Sequence, residues 1–148
     1  MKRFLALLAV AALATSVSAG ELKWLTSMDE ALAKAKKENK LVLMDFTGSD
    51  WCFFCIKLEK EVFSTREFQE YAAKNLVLLK LDFPRKKKLP AEQEKANRAL
   101  MEKYKVRGFP TLVILSPEGK ELDRKVGYGG GGPDSLIKLL DKHRPDAS

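Results

Sequence analysis

The sequence predicts an α/β domain: one mixed central sheet with helices on both faces. Three observations carry this prediction. Short apolar runs of strand character recur as LVLMDF, NLVLLKLDF and TLVILS. Segments with apolar residues three and four apart separate them, so helices lie between strands and imply parallel crossovers. Only PEG joins the last two strands, a turn short enough to require an antiparallel pair. With 148 residues, 45% apolar and 32% charged, the chain suits one domain with a real core and is short for two.

The first segment stands apart. MKRFLALLAVAALATSVSAG places Lys2 and Arg3 before an apolar stretch, with small residues at Val17 and Ala19. It reads as a secretory signal peptide (residues 1–19) cleaved after Ala19, leaving a single domain over 20–148. Its apolar part ends by Ala14, short of the ~20 residues that a membrane span needs. Loss of Lys2 and Arg3 lowers the formal charge from +7 to +5. That balance favours acidic partners weakly and does not demand nucleic acid.

The elements follow in order. Met28, Ala31, Leu32 and Ala35 make the apolar face of a first helix, with Ser27 or Thr26 as its cap. LVLMDF is a buried strand closed by TGSD. From Cys52 to about Lys74 the helical period returns, in two pieces with a bend near Ser64, which caps the second piece with Glu67 three residues on. NLVLLKLDF is a strand stopped by Pro84. PRKKKLP is a basic loop, and AEQEKANRALMEKY is a third helix. TLVILS, PEG and KELDRKVGY give two strands and their turn, the last of them edge-like. Glycines from Gly129 turn that strand into the final helix, DSLIKLLDKHR, with Pro133 in its first turn and His143 capping its end.

The chemistry centres on DFTGSDWCFFCIKLEK, which holds both cysteines, Cys52 and Cys55. They can form one intramolecular pair. Cys52 falls where a loop enters a helix, so unpaired N–H groups and the positive dipole end favour its thiolate. Cys55 lies one turn further on the same side. This is the arrangement of an attacking thiol with a resolving thiol behind it. As an inert staple the pair is badly placed, because so small a loop constrains little of the unfolded chain. A structural zinc site wants four ligands, and the chain offers two thiols and the distant His143. A c-type haem attachment needs His directly after the second Cys, where Ile56 stands. No metal or other cofactor is therefore expected.

WCFFC after LVLMDFTGSD, with GFPT far downstream, resembles the thioredoxin superfamily. Within it, CIKLEKEVFS is similar to exported bacterial thioredoxin-like proteins and to the C-terminal domain of the transmembrane thiol reductase DsbD. The resemblance runs from about Lys40 through the last helix and implies a thioredoxin-like fold. It implies Cys52 as the exposed nucleophile and Cys55 as the buried thiol. Pro110 matches the cis-proline facing the cysteines, and Phe109 the residue whose backbone docks an extended substrate. Trp51 borders the site. Asp45 resembles the buried acid that takes the proton of Cys55, although it lies seven positions before Cys52 where typical members have six. The alternative for Asp45 is a strand-end residue capping the next turn.

Phe53 and Phe54 stand where reducing thioredoxins carry Gly-Pro and strong oxidases Pro-His. With no histidine beside Cys52, a powerful oxidase is disfavoured. Phe53 with Trp51 reads as a docking patch for substrate. The run from Arg85 to Lys88 belongs on the rim that holds Cys52, where it either solvates a loop or favours a thiolate or an acidic partner. The expected activity is thiol–disulfide exchange on protein thiols and disulfides in the cell envelope, the periplasm of a Gram-negative host. The chain acts as a reductant, with a membrane thiol reductase as electron donor. Isomerase, weak oxidase and chaperone-like binding module are the rival readings.

Overall fold

The computed structural model describes residues 22–145; the expected signal peptide lies outside them. The chain runs β1 (Trp24–Leu25), α1 (Met28–Glu38), β2 (Leu41–Thr47), α2 (Phe53–Leu58), a π-helical turn (Glu59–Phe63), α3 (Arg66–Asn75), β3 (Leu76–Asp82), α4 (Ala91–Lys103), β4 (Thr111–Leu115), β5 (Glu121–Val126) and α5 (Asp134–Asp141). Strand order in the five-stranded sheet is β1-β3-β2-β4-β5. The predicted class, a mixed sheet with helices on both faces, is the observed one.

β2 is buried along its whole length because both faces are covered. Side chains alternate across a strand. Leu41 and Leu43 therefore join Leu78, Leu58, Val62, Phe63, Phe68, Leu136 and Leu140 in one core, under α2, α3 and α5. Val42, Met44 and Phe46 join Val77, Leu79, Leu81, Ala31 and Ala35 in the other, with Leu100 and Met101 of α4 packed against it.

Four expectations change. β1 is an additional strand, parallel to β3 through Trp24–Leu78 and Leu25–Leu79, and too short to show a period. α4 does not make a parallel crossover: β4 pairs antiparallel with β2, Phe46 opposite Thr111. At the middle of the helix Asn97 Nδ2 donates to the carbonyl of Asp82 at 2.9 Å. That bond holds α4 at the edge where β3 ends, so the chain re-enters the sheet from the same edge. The bend near Ser64 is a π-helical turn, and the cap of α3 is Thr65, whose Oγ1 accepts from Phe68 N–H at 3.3 Å. His143 faces Asp123 with Nε2 3.0 Å from its carboxylate, which ties the end of α5 to β5 instead of capping the helix.

Ser27 caps α1 by accepting from Glu30 N–H. β2 and β3 run parallel, so the loop after each emerges on one edge of the sheet. That edge carries TGSDWC, the basic loop and, through the β2–β4 register, Pro110.

Candidate active site

Cys52 is the N-cap residue of α2, with φ −81° and ψ 109°. Its Sγ accepts from Cys55 N–H at 3.3 Å, so one orphan donor of the helix start points at this sulfur. Cys52 and Cys55 are joined as a disulfide. Gly48 N–H approaches Cys55 Sγ at 3.5 Å from the loop below. Cys52 is 7% exposed and Cys55 4%. The expected contrast of an open and a buried thiol is therefore small in this oxidised state: Cys52 is turned into its own helix end and bonded to its neighbour.

Asp45 lies in β2 on the face of Leu41 and Leu43, the side covered by α2. It is fully buried and its Oδ1 has no hydrogen-bond partner. Burial pushes its pKa up to about 7; Lys80 pulls it down, while Glu59 and Asp82 push it further up. Lys80 is the register partner of Asp45 on β3. Lys80 Nζ lies 3.6 Å from Glu59 Oε2. Glu59 comes four residues after Cys55, on the same helical face. A buried acid, a cation and a second carboxylate thus lead from the covered face of β2 to the exposed Glu59. The cap-only reading of Asp45 fails, since the residue bonds to no turn.

Glu59 and Lys80 do not announce themselves singly in the sequence. One signal exists: LVLMD and LVLLK each carry a lone charge at the same place in an apolar run, and parallel pairing sets those charges side by side.

The rim around Cys52 is held by polar latches. Asp82 accepts from Ser49 N–H at 3.0 Å and from Ser49 Oγ at 2.6 Å. Asp50 accepts the backbone N–H groups of Arg85, Lys86 and Lys87, at 2.9, 2.9 and 3.2 Å. These bonds, that of Arg85 first, hold its carboxyl below the usual range. Trp51 Nε1 donates to the carbonyl of Phe83 at 2.8 Å. The indole lies edge-on to Phe109, which stacks on Phe83, and the Arg85 guanidinium covers it at 3.6 Å. Gly48 makes room: a Cβ there would sit 2.5 Å from Trp51 Cε2.

Trp51 and Phe109, two of the expected docking residues, are therefore neighbours. The third, Phe53, is separate: it is 70% exposed and pairs edge-to-face with Phe54. Phe54 and Ile56 are 51% and 48% exposed and extend this apolar surface beyond what FF alone suggests. The Phe109–Pro110 peptide is cis. Extending the Phe46–Thr111 register places Pro110 beside Thr47, at the root of the cysteine loop. Among the described residues, Phe109 makes no backbone–backbone hydrogen bond.

Among the described residues no cluster of His, Cys, Asp and Glu could hold a metal ion, and no helix is long and apolar enough to cross a membrane. The chemistry this arrangement allows is exchange between the Cys52–Cys55 disulfide and external thiols.

Comparison with known proteins agrees with this geometry. The disulfide bond reductase DsbH of Chlamydia pneumoniae is 41% identical over 123 residues, covering 83% of this chain and 74% of that protein. The thiol:disulfide interchange protein DsbD 2 of Pseudomonas aeruginosa is 36% identical over 108 residues, covering 70% of this chain; the chain spans only 17% of that longer protein. A solved structure of a DsbH oxidoreductase superposes with a TM-score of 0.78 at 35% identity, covering 90% of this chain and 91% of the other. The thioredoxin-like domain family matches residues 28–144. The chain belongs to this thioredoxin-like family, and its Cys52–Cys55 pair supports thiol–disulfide oxidoreductase activity.

Proposed function

We propose that this protein is an exported reductant of protein disulfides. The observation that carries the reading is the Cys52–Cys55 pair at the mouth of α2, on the side of the sheet where a buried carboxyl titrates near neutrality. In the reduced protein the Cys52 thiolate attacks one sulfur of a substrate disulfide. A Cys52–substrate disulfide forms and the other substrate sulfur leaves as thiolate. Asp45 takes the proton of Cys55. The Cys55 thiolate then attacks Cys52 Sγ, expels the substrate's remaining sulfur as thiolate, and closes the Cys52–Cys55 disulfide. Two electrons have moved to the substrate. A membrane thiol reductase returns them by the reverse exchange. Pro110 and the free backbone of Phe109 position an extended substrate chain, and Trp51 and Phe53 border it.

Export rests on the leader pattern of residues 1–19. Expression in a Gram-negative host should give a periplasmic protein beginning at Gly20. Retention of Met1 in the cytoplasm would remove this part.

Insulin reduction with dithiothreitol as donor tests the activity. The native protein should accelerate it, and Cys52→Ser should abolish the acceleration. Cys55→Ser should trap the mixed disulfide. Equal suppression of aggregation by the native and Cys52→Ser proteins, with no turnover, would replace the enzyme by a binding module.

A further inference from the structure

The loop between β3 and α4 carries Arg85, Lys86, Lys87 and Lys88, all exposed. An exposed basic run is ordinarily a floppy, solvated face, but two features distinguish this one. Its backbone is pinned, because Asp50 spends its carboxylate on three backbone N–H groups of the run and none of its side chains. The carboxylate therefore fixes the loop through its backbone and offsets only part of the charge of the run. Most of its charge is also unspent: Lys87 pairs with Asp82 at 3.3 Å, whereas Arg85, Lys86 and Lys88 have no carboxylate at ion-pair distance among the described residues.

Behind the loop lies a cleft of about 430 Å³, with Phe83, Pro84 and Leu89 in its lining beside Arg85, Lys87 and Lys88. Its far wall on α4 is neutral, since Arg98 is matched by Glu94. The cleft is thus partly apolar and net positive, with Arg85, Lys87, Lys88 and Arg98 against Asp82 and Glu94. It also adjoins the redox rim, because the Arg85 guanidinium lies flat on Trp51, the residue before Cys52. Stacked there, its N–H edges remain available for a carboxylate.

We propose that this cleft docks an acidic, partly apolar, extended segment of a protein partner, next to the cysteine whose disulfide is exchanged at Cys52. This deepens the proposed function and rests on it. A second copy of the chain is a poor occupant, since at +5 without its leader it repels itself. Nucleic acid brings no disulfide to the rim. A pinned loop loses little freedom on binding, so its charges act on an approaching chain as a preset field.

The test uses one disulfide-linked peptide with aspartates and glutamates flanking its cysteine, and its amide counterpart. Reduction by the pre-reduced protein is followed at low and high salt. The acidic peptide should react roughly five- to tenfold faster at low salt, through KM, with the advantage lost at high salt. Lys86→Glu/Lys88→Glu should abolish or invert the preference, and Lys86→Gln/Lys88→Gln should reduce it. A cysteine-free acidic peptide, labelled for fluorescence anisotropy, should bind the native protein and bind the Glu variant several-fold more weakly. Equal rates on both peptides, with reduction itself intact, would overturn the docking site and leave the reductase reading standing. Failure to reduce either peptide would overturn the reductase reading. The anisotropy measurement would then judge the cleft alone: binding no tighter than that of the amide peptide ends the proposal.

Discussion

At the residue scale, one buried carboxyl dominates. Asp45 has an ordinary value of 3.8 in the unfolded chain and about 7 in the fold. Between those values the folded state holds a proton that the unfolded state has released. The contribution of Asp45 to stability is therefore greatest below the unfolded value and is lost as pH rises towards 7, by an amount on the order of 4 kcal/mol. Asp45→Leu keeps the branched shape and removes the charge. In urea titrations of the oxidised protein, the variant should gain stability relative to native between pH 4 and pH 8. A difference that does not change with pH would refute the buried, elevated acid. Gly48 makes a second residue-scale prediction. A methyl group there meets the Trp51 ring, not a flexible tail. In a Trp24→Phe background, Gly48→Ala should shift Trp51 emission to the red as the indole leaves the Phe83 carbonyl and the Arg85 stack. Unchanged emission would mean that the ring does not need that space. Both cysteines and their shared turn were legible in WCFFC. The link from Asp45 through Lys80 to Glu59 was not, because it depends on strand register, which no single segment encodes.

At the scale of elements, local pattern succeeded wherever a period was long enough to repeat. α1, β2, β3 and β4 follow from periodicity and turn residues. β1 escaped because two residues cannot display alternation. The antiparallel entry of β4 escaped because it depends on where α4 lies against the sheet, and the Asn97–Asp82 contact that marks this place is between elements. The cap of α3 shows a competition between adjacent hydroxyls. Ser64 satisfies the Ser-x-x-Glu pattern, yet it is exposed, and the π-helical turn carries the chain one residue further. Thr65 then both caps Phe68 N–H and donates to the Val62 carbonyl at 2.6 Å, bridging the two helical pieces. Thr65→Ala should cost about 1–2 kcal/mol in chemical denaturation, whereas Ser64→Ala should stay within about 0.5 kcal/mol. Equal effects from the two would return the cap to Ser64.

At the scale of the whole molecule, the question is whether the fold prefers the disulfide or the dithiol. Two cores, one on each face of the sheet, hold the chain together, and the cysteines contribute to neither cluster. The reduced protein should therefore remain folded, as a redox carrier must. A disulfide between residues three apart closes a very small loop, and the chain-entropy relation gives it about 2 kcal/mol of stabilisation. By linkage, whatever free energy the disulfide adds to the fold is also the free energy by which the fold favours the disulfide over the dithiol. An oxidised form that is the more stable makes the pair a reductant; the reverse makes it an oxidant. The opposing contribution is stabilisation of a Cys52 thiolate in the reduced state. Its donor in this structure is Cys55 N–H at 3.3 Å, a weak contact to sulfur, and no histidine sits between the cysteines to strengthen it. The loop contribution should therefore win. Urea unfolding of the two forms at neutral pH should show the oxidised protein more stable by about 2 kcal/mol or somewhat less, and titration against glutathione should give a correspondingly reducing potential. If the reduced form is the more stable, electrons flow the other way, and the protein donates disulfides instead of removing them.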